Sequence, residues 1–256
     1  MILFFFWIGL AVGSFLNVLI DRLPKGESVV HGRSYCDSCK KKIAWYDLIP
    51  LLSFIMLKRR CRYCRKLISW QYPLVEILTG FTFVATYYLV MDTLYRINYF
   101  PTLLLLLTIF SGLIVIFFAD LKYMIIPDQV VFILLGIALL YILLLQPDVI
   151  VLNFAIGFLF ALLFLFLVLI TKGKGMGVGD VKLTFFMGLF LGFPKIIVAF
   201  YLSFLTGALV SLILVIGRIK KLKSTVPFGP FLIAATVIAY VWGDGIWMKA
   251  LKYLGI

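Results

Sequence analysis

Charge is what this 256-residue chain has least of: 14% of its residues are charged, 64% are hydrophobic and 17% aromatic, with a mean hydropathy of +1.15. A soluble domain is roughly half apolar and about a quarter charged, so the excess cannot be hidden in one core and a soluble protein is excluded. Negative charge is scarcest, 11 Asp and Glu against 24 Lys and Arg, for a net charge of +13. In a membrane protein that imbalance reports topology, and no nucleic-acid partner is expected. His31 is the single histidine, which argues against a His-based triad or a His-rich metal centre and reads as a surface loop residue. A GxGxxG fingerprint after a strand is missing. No basic residue precedes the first apolar run and no small-x-small site follows it before Asp21-Arg22, so that run is expected to stay in the protein.

Long apolar runs are abundant. A spanning helix needs about 20 mostly apolar residues, and such runs fall at roughly 2–20, 74–91, 101–119, 129–146, 149–171, 181–193, 195–217 and 226–242. Residues 181–217 are too long for one span, and Phe193-Pro194-Lys195 divides them. Pro24, Pro73, Pro101, Pro127, Pro147 and Pro227 lie at or near the other run ends. The expectation is an all-α polytopic membrane protein of about eight transmembrane helices. Its parts are a first helix over 1–20, a small cytoplasmic four-cysteine loop over 21–73 resembling a zinc ribbon, and a seven-helix membrane domain over 74–256.

Basic residues orient the spans. Alternate loops hold 12 Lys and Arg (21–73), one (120–128), three (172–182) and four (218–223), while those between hold one (92–100), none (146–148), one (Lys195) and two (Lys249 and Lys252). The richer set is assigned to the cytoplasm. Both termini then face outward.

All four cysteines lie in the basic loop, as Cys36-x-x-Cys39 and Cys61-x-x-Cys64, with 21 residues between the pairs. Two such knuckles can close a tetrahedral thiolate shell around Zn²⁺, and disulfides are disfavoured on the cytoplasmic side. Free thiols or redox chemistry are the alternatives. A closed shell of four thiolates has no open position, so the metal would be structural. The neighbouring Lys40-Lys41-Lys42, Lys58-Arg59-Arg60 and Arg62 either contact anionic lipid headgroups or an acidic substrate, or form a solvated face that only marks topology.

An ionisable residue at membrane depth is costly and points to function. Asp120 ends the third span and Asp180 begins the sixth, in Gly177-Val178-Gly179-Asp180-Val181-Lys182. The assigned topology puts both at cytoplasmic helix ends. Two facing carboxylates suit water-mediated amide hydrolysis, one as base and one as acid. Gly177 and Gly179 would let the backbone approach a substrate peptide; equally, they form a loop entering a helix whose N-terminus favours an Asp. Asp92, Asp128, Asp148 and Asp244 read as caps or boundary residues.

Taken together, Gly13-Ser14-Phe15-Leu16-Asn17-Val18, Arg22-Leu23-Pro24, the two CxxC pairs, Tyr72-Pro73-Leu74-Val75-Glu76, Asp120 with Ile126-Pro127-Asp128, Gly177-Val178-Gly179-Asp180-Val181-Lys182 and Pro227-Phe228-Gly229-Pro230-Phe231 resemble the type IV prepilin peptidases across nearly the whole chain. The resemblance implies an aspartic endopeptidase of the inner membrane that removes the basic leader of type IV prepilins and pseudopilins after a Gly, with Asp120 and Asp180 as the catalytic pair. It also implies, as in many members, methylation of the new N-terminus with S-adenosylmethionine, associated with the cysteine loop. Family members commonly carry Pro after the first Cys and Gly just before the second pair and just after each pair; Asp37, Arg59, Lys40 and Arg65 stand there here. Glu76 is expected to pair with the basic loop or bind the prepilin amino terminus. Lys182 is expected to hold Asp180 or a substrate carbonyl, or to be a topological anchor. The Pro227-to-Phe231 segment either covers the active site or simply breaks the helix. Gly9, Gly13 and Ser14 would allow close packing of the first span. The alternatives are a protease of the presenilin or signal-peptide-peptidase kind, which would carry Tyr-Asp and Pro-Ala-Leu where this chain has Ala119-Asp120 and Pro227-Phe228-Gly229-Pro230, and a proton-coupled transporter, for which an internal repeat is missing.

Overall fold

In lipid every backbone N–H and C=O must be paired within the chain, and the helix is the way a single segment does so. A computed structural model describes residues 1–30, 32–93, 99–173, 176–217 and 226–254. Among these, each of the eight apolar runs is a helix: α1 (Ile2–Arg22), α3 (Gln71–Thr93), α4 (Tyr99–Tyr123), α5 (Asp128–Leu145), α6 (Ile150–Ile170), α7 (Val178–Leu191), α8 (Lys195–Ile216) and α9 (Gly229–Leu254), with a short α2 (Leu52–Met56) inside the polar loop. Seven are long and apolar enough to cross a membrane, which makes this a multi-pass membrane protein. The remaining one, α7, has 14 residues. No strand is present among the described residues; Tyr35 and Lys42, and Arg60 and Leu67, form isolated antiparallel bridges. His31 and the basic run 218–223 lie outside the described residues.

The chain divides into two compact units, Met1–Val115 and Ile116–Ile256, with α4 beginning in the first and ending in the second. In the first unit α1 packs along α3, and glycine sets the distance. A Cβ on Gly9 would stand 2.7 Å from Gly80 Cα and one on Gly13 2.7 Å from Glu76 Cα, so the helices approach backbone to backbone. Asn17 Nδ2 donates to the Tyr72 carbonyl at 3.1 Å and Tyr72 donates to Asp21 at 2.7 Å, tying the end of α1 to the start of α3 around the loop.

In the second unit α7 packs against α5 and α6, and α8 against α9. Gly157 of α6 lies against α7, where a Cβ would meet the Phe185 carbonyl oxygen at 2.9 Å, and Asn153 donates to the Leu189 carbonyl at 3.2 Å. Phe164 of α6, fully buried, meets Phe200 and Phe204 of α8 and Phe228 just ahead of α9 in one aromatic cluster.

Close helix approach at Gly9 makes Gly9→Ala overpacked, with an expected loss of about 1–3 kcal/mol. Gly136 of α5 has nothing within 4 Å of a Cβ, so Gly136→Ala is expected to gain about 0.5–1 kcal/mol. Thermal unfolding in detergent micelles should move in opposite directions for the two variants.

Candidate active site and metal centre

Asp120 closes the penultimate turn of α4 and Asp180 sits in the first turn of α7. Both are 6% exposed and belong to the second unit. They are close enough for the charge of Asp180 to act on Asp120. A carboxylate out of water needs donors from the protein, and each receives a backbone N–H from a glycine at a helix start. Gly229 N donates to Asp120 Oδ2 at 3.0 Å, and Gly177 N donates to Asp180 Oδ2 at 2.9 Å. The first N–H groups of a helix have no partner within it and carry the positive end of its dipole, which suits an anion. For Asp180 the bond is reciprocal, since its own N–H donates to the Gly177 carbonyl at 3.1 Å, the logic of a capping box. Its other oxygen, Oδ1, is buried with no hydrogen-bond partner among the described residues.

The segment carrying Gly229 is fixed by its neighbours. Phe228 is 5.1 Å from Phe204 and 6.3 Å from Phe164 between ring centroids, and Pro230 starts the helix where its missing N–H costs nothing. A Cβ on Gly229 would stand 2.6 Å from Asp120 Oδ2. A side chain at this position would therefore displace the carboxylate.

Gly179 plays a different part: a Cβ there would meet Ile126 Cβ at 2.9 Å, so it allows the start of α7 to rest on the turn after α4. Met124 in that turn takes a left-handed φ of 54°. Lys182 donates to both oxygens of Asp128 at 2.8 Å and lies over the Phe132 ring. It thus joins α7 to the start of α5 rather than holding Asp180. Glu76 is in the first unit, 7% exposed, and accepts the N–H of Leu51 in the loop at 2.9 Å.

Sequence reasoning names two residues without their partners. Gly229 enters there only within the Pro227-to-Phe231 segment, read as covering the active site or breaking the helix. Asp128 reads as a cap or boundary residue, although it lies in the same short segment as Asp120.

The four thiols, Cys36, Cys39, Cys61 and Cys64, form one cluster, their sulfurs all within 4.8 Å of one another and Cys36 and Cys64 at 3.8 Å. A zinc–sulfur bond of about 2.3 Å in a tetrahedral shell sets neighbouring sulfurs about 3.8 Å apart, so the cluster can hold a metal ion. Both knuckles share one backbone pattern: Cys36 N–H reaches the Lys41 carbonyl and Lys40 N–H the Cys36 carbonyl, as Cys61 and Arg65 do in the second. Lys40, Arg59 and Arg65 have φ of 55°, 60° and 58°, the left-handed region that favours glycine. Burial opposes ionisation of Cys36, but the N–H groups of Cys39 and Ser38 and the neighbouring thiols outweigh it and bring its pKa down to about 7. The Lys66 N–H favours the Cys64 thiolate, yet burial and hydrogen bonds to the other three thiols push that group up to about 11. One thiol of the set is thus primed to ionise near neutral pH, as metal binding requires.

An open groove of about 500 Å³ beside the knuckles is lined by Arg22, Arg33, Lys40, Lys42, Glu27 and Tyr35 among others. Tyr35 donates to Glu27 at 2.8 Å. Four cations face one carboxylate that is already hydrogen-bonded, so this groove offers the sulfonium of S-adenosylmethionine no free acidic partner.

Two family models match the chain: the bacterial peptidase A24 N-terminal domain over residues 7–90 and the type IV leader peptidase family over residues 105–212. Among curated proteins, the prepilin leader peptidase/N-methyltransferase of Bacillus subtilis is 33% identical over 96% of this chain and 95% of its own length, and that of Aeromonas hydrophila 35% over 94% and 90%. The protein of that name from Myxococcus xanthus is 36% identical over 84% of this chain, which spans 63% of its length. No solved structure matches significantly.

The thiol geometry carries a first chemical test. Elemental analysis of the purified protein should find bound metal, and Cys36→Ser combined with Cys61→Ser should remove it together with part of the thermal stability.

Proposed function

Because the chain belongs to the type IV leader peptidase family, we propose that Asp120 and Asp180 are the catalytic pair with which it cleaves the basic leader of type IV prepilins and pseudopilins after a Gly. The observation that carries this reading is the shared arrangement of the two carboxylates: both buried, each held through Oδ2 by a glycine amide, with Asp180 Oδ1 buried and unpaired. An oxygen of that kind is suited to hold a water.

The ionised member of the pair takes a proton from this water as its oxygen attacks the scissile carbonyl, while the protonated member donates to the carbonyl oxygen. The pair has then exchanged roles. On breakdown of the tetrahedral intermediate the newly protonated aspartate gives its proton to the leaving amine as the C–N bond breaks, and the newly ionised one takes a proton from a hydroxyl of the gem-diol as it becomes the product carboxyl, which restores the starting charges. Pinning both Oδ2 atoms removes carboxylate rotation from this sequence, and positioning of that kind can account for a large part of a barrier. The intramembrane proton carrier of a transporter is disfavoured, since the chain's relatives over nearly its whole length are named as peptidases.

Gly177 and Gly179 shape the entry to α7 that a substrate backbone would approach. Lys182 and Glu76 are substrate-binding candidates; Lys182 pairs with Asp128, and Glu76 accepts the Leu51 N–H. The four-cysteine cluster is a structural zinc site, and the loop over 21–73 is cytoplasmic, with both termini outside and the pair at the cytoplasmic face of the inner membrane. Methylation of the new N-terminus from S-adenosylmethionine comes from the relatives' names, and no step of it is assigned to residues of this chain.

Asp120→Asn or Asp180→Asn should abolish leader cleavage of a co-expressed prepilin while the protein stays folded in the membrane; processing at the original rate by either variant would overturn the assignment. Gly229→Ala, which displaces Asp120, should lower kcat by about 100-fold with little change in KM. Gly177→Ala keeps the N–H, and its Cβ would make only ordinary contacts, 3.9 Å from Asp180 Oδ2 and from Gly179 N, so its kcat should stay within a few-fold of the parent. Mass spectrometry of the processed prepilin reads the cleavage position and the methylation state of the new N-terminus together.

A further inference from the structure

Residues 45–56 are the least explained part of the first unit. They hold one charged residue, Asp47, in the sequence Trp-Tyr-Asp-Leu-Ile-Pro-Leu-Leu-Ser-Phe-Ile-Met. The short 3-10 helix Trp45–Leu48 and α2 bury no residue at all. Trp45, Tyr46, Leu48, Ile49, Leu52, Ile55 and Met56 are exposed, Met56 at 81% and Trp45 at 73%. A loop in water would not present so many large apolar side chains on consecutive turns.

Where the segment is tied down explains this. Leu51 N–H donates to Glu76 Oε2 at 2.9 Å, and Ser14 Oγ reaches the Leu48 carbonyl at a long 3.5 Å. Glu76 lies five residues inside the start of α3 and Ser14 eight residues before the end of α1, about 8 Å and 12 Å along their helices at a rise of about 1.5 Å per residue. The loop therefore folds back along its two flanking spans instead of standing off from them. At that depth a backbone N–H has no water to turn to, which gives a reason for the buried Glu76 carboxylate to be committed to Leu51. The neighbouring amides are also paired, Leu52 to the Pro50 carbonyl, Ser53 to Ile49 and Ile55 to Leu51. Asp47 is neutralised by Arg62, which grips both its oxygens. Immediately after the apolar stretch come Lys58, Arg59 and Arg60, with the Arg59 guanidinium over the Trp70 ring. An apolar tip edged by tryptophans and followed by cations is the pattern of an element lying in a membrane interface.

We propose that residues 45–56 insert into the bilayer interface beside α1 and α3, with Leu52, Ile55 and Met56 among the acyl chains and Lys58, Arg59 and Arg60 against anionic headgroups. The inference does not depend on the catalytic reading. It places the metal knuckles at the membrane surface and makes the lipid bilayer the partner that covers this apolar face.

The test uses the full-length protein in nanodiscs of phosphatidylethanolamine and phosphatidylglycerol, with Trp7, Trp70, Trp242 and Trp247 replaced by Phe so that Trp45 is the only tryptophan. Trp45 emission should be blue-shifted, quenched by lipids brominated on the acyl chains, and little affected by acrylamide. Ile55→Glu with Met56→Glu should reverse all three. Strong acrylamide quenching without bromolipid quenching would overturn the proposal. Hydrogen exchange on the unaltered protein gives an independent reading should the tryptophan variant fold poorly: the amides of 45–56 should be protected in nanodiscs before any prepilin is added. Protection that arises only with prepilin would assign the face to substrate and overturn the lipid assignment. Replacing phosphatidylglycerol by phosphatidylcholine should weaken the bromolipid quenching; unchanged quenching would overturn the headgroup part.

Discussion

A carboxylate withdrawn from water at the depth of a helix bundle must find its donors in the protein, and the second unit is organised around meeting that demand twice. Each solution uses the start of a helix, where N–H groups have no partner of their own. α9 begins at Gly229, whose amide reaches Asp120, and α7 begins beside Gly177, whose amide reaches Asp180. Bringing two helix starts to the end of α4 requires fixed distances between six helices, α4 to α9. An ion pair as exposed as Lys182 and Asp128 contributes on the order of 0–1 kcal/mol. Each ring pair in the cluster of Phe164, Phe200, Phe204 and Phe228 adds about 0.5–1.5 kcal/mol beyond its buried area. Aromatic packing therefore does more to hold Gly229 against Asp120 than the ion pair can, and the ion pair serves mainly to align the starts of α5 and α7.

Glu76 is a third carboxylate buried at similar exposure, and its contrast with the pair is informative. Its partner is the Leu51 amide of a loop, and no second carboxylate is brought to it among the described residues of its unit. Burial alone thus does not mark a reacting acid. What sets the aspartates apart is that each is held by a glycine amide at a helix start in the same unit and that Asp180 Oδ1 has no hydrogen-bond partner among the described residues. The same physical cost is used in one place to anchor a loop and in the other to keep an oxygen available.

Much of this was legible in the sequence because its carriers are local. The eight apolar runs became eight helices, since length and hydropathy are properties of consecutive residues; only α7, shortened by the glycine-rich approach at one end and Gly192 at the other, falls below spanning length. Gly9 and Gly13 point correctly to close packing, because their spacing repeats on one helix face. The partners of Lys182 and Gly229 were not legible. Asp128 is 54 residues from Lys182 and Gly229 is 109 from Asp120, and no periodicity connects positions so far apart. Charge pattern suggests that Lys182 would serve the nearest acid, Asp180, but two residues apart on a helix they point in different directions.

The cysteine loop shows how a departure from a familiar pattern can leave the four thiols clustered. Lys40, Arg59 and Arg65 stand where glycine is common in the family, and all three adopt the left-handed backbone that glycine would take without strain. Each such residue costs about 1–2 kcal/mol, partly offset by the cation over the ring of Tyr35 at Lys40 and of Trp70 at Arg59. A structural zinc site contributes about 10–16 kcal/mol in small domains, more than the three strains together. The knuckle turn is thus set by the cysteines and by the hydrogen bonds from Cys36 to Lys41 and from Cys61 to Lys66. The residues at the strained corners are free to be basic, and in a loop held against a membrane surface a positive charge there interacts with the headgroups as a glycine cannot.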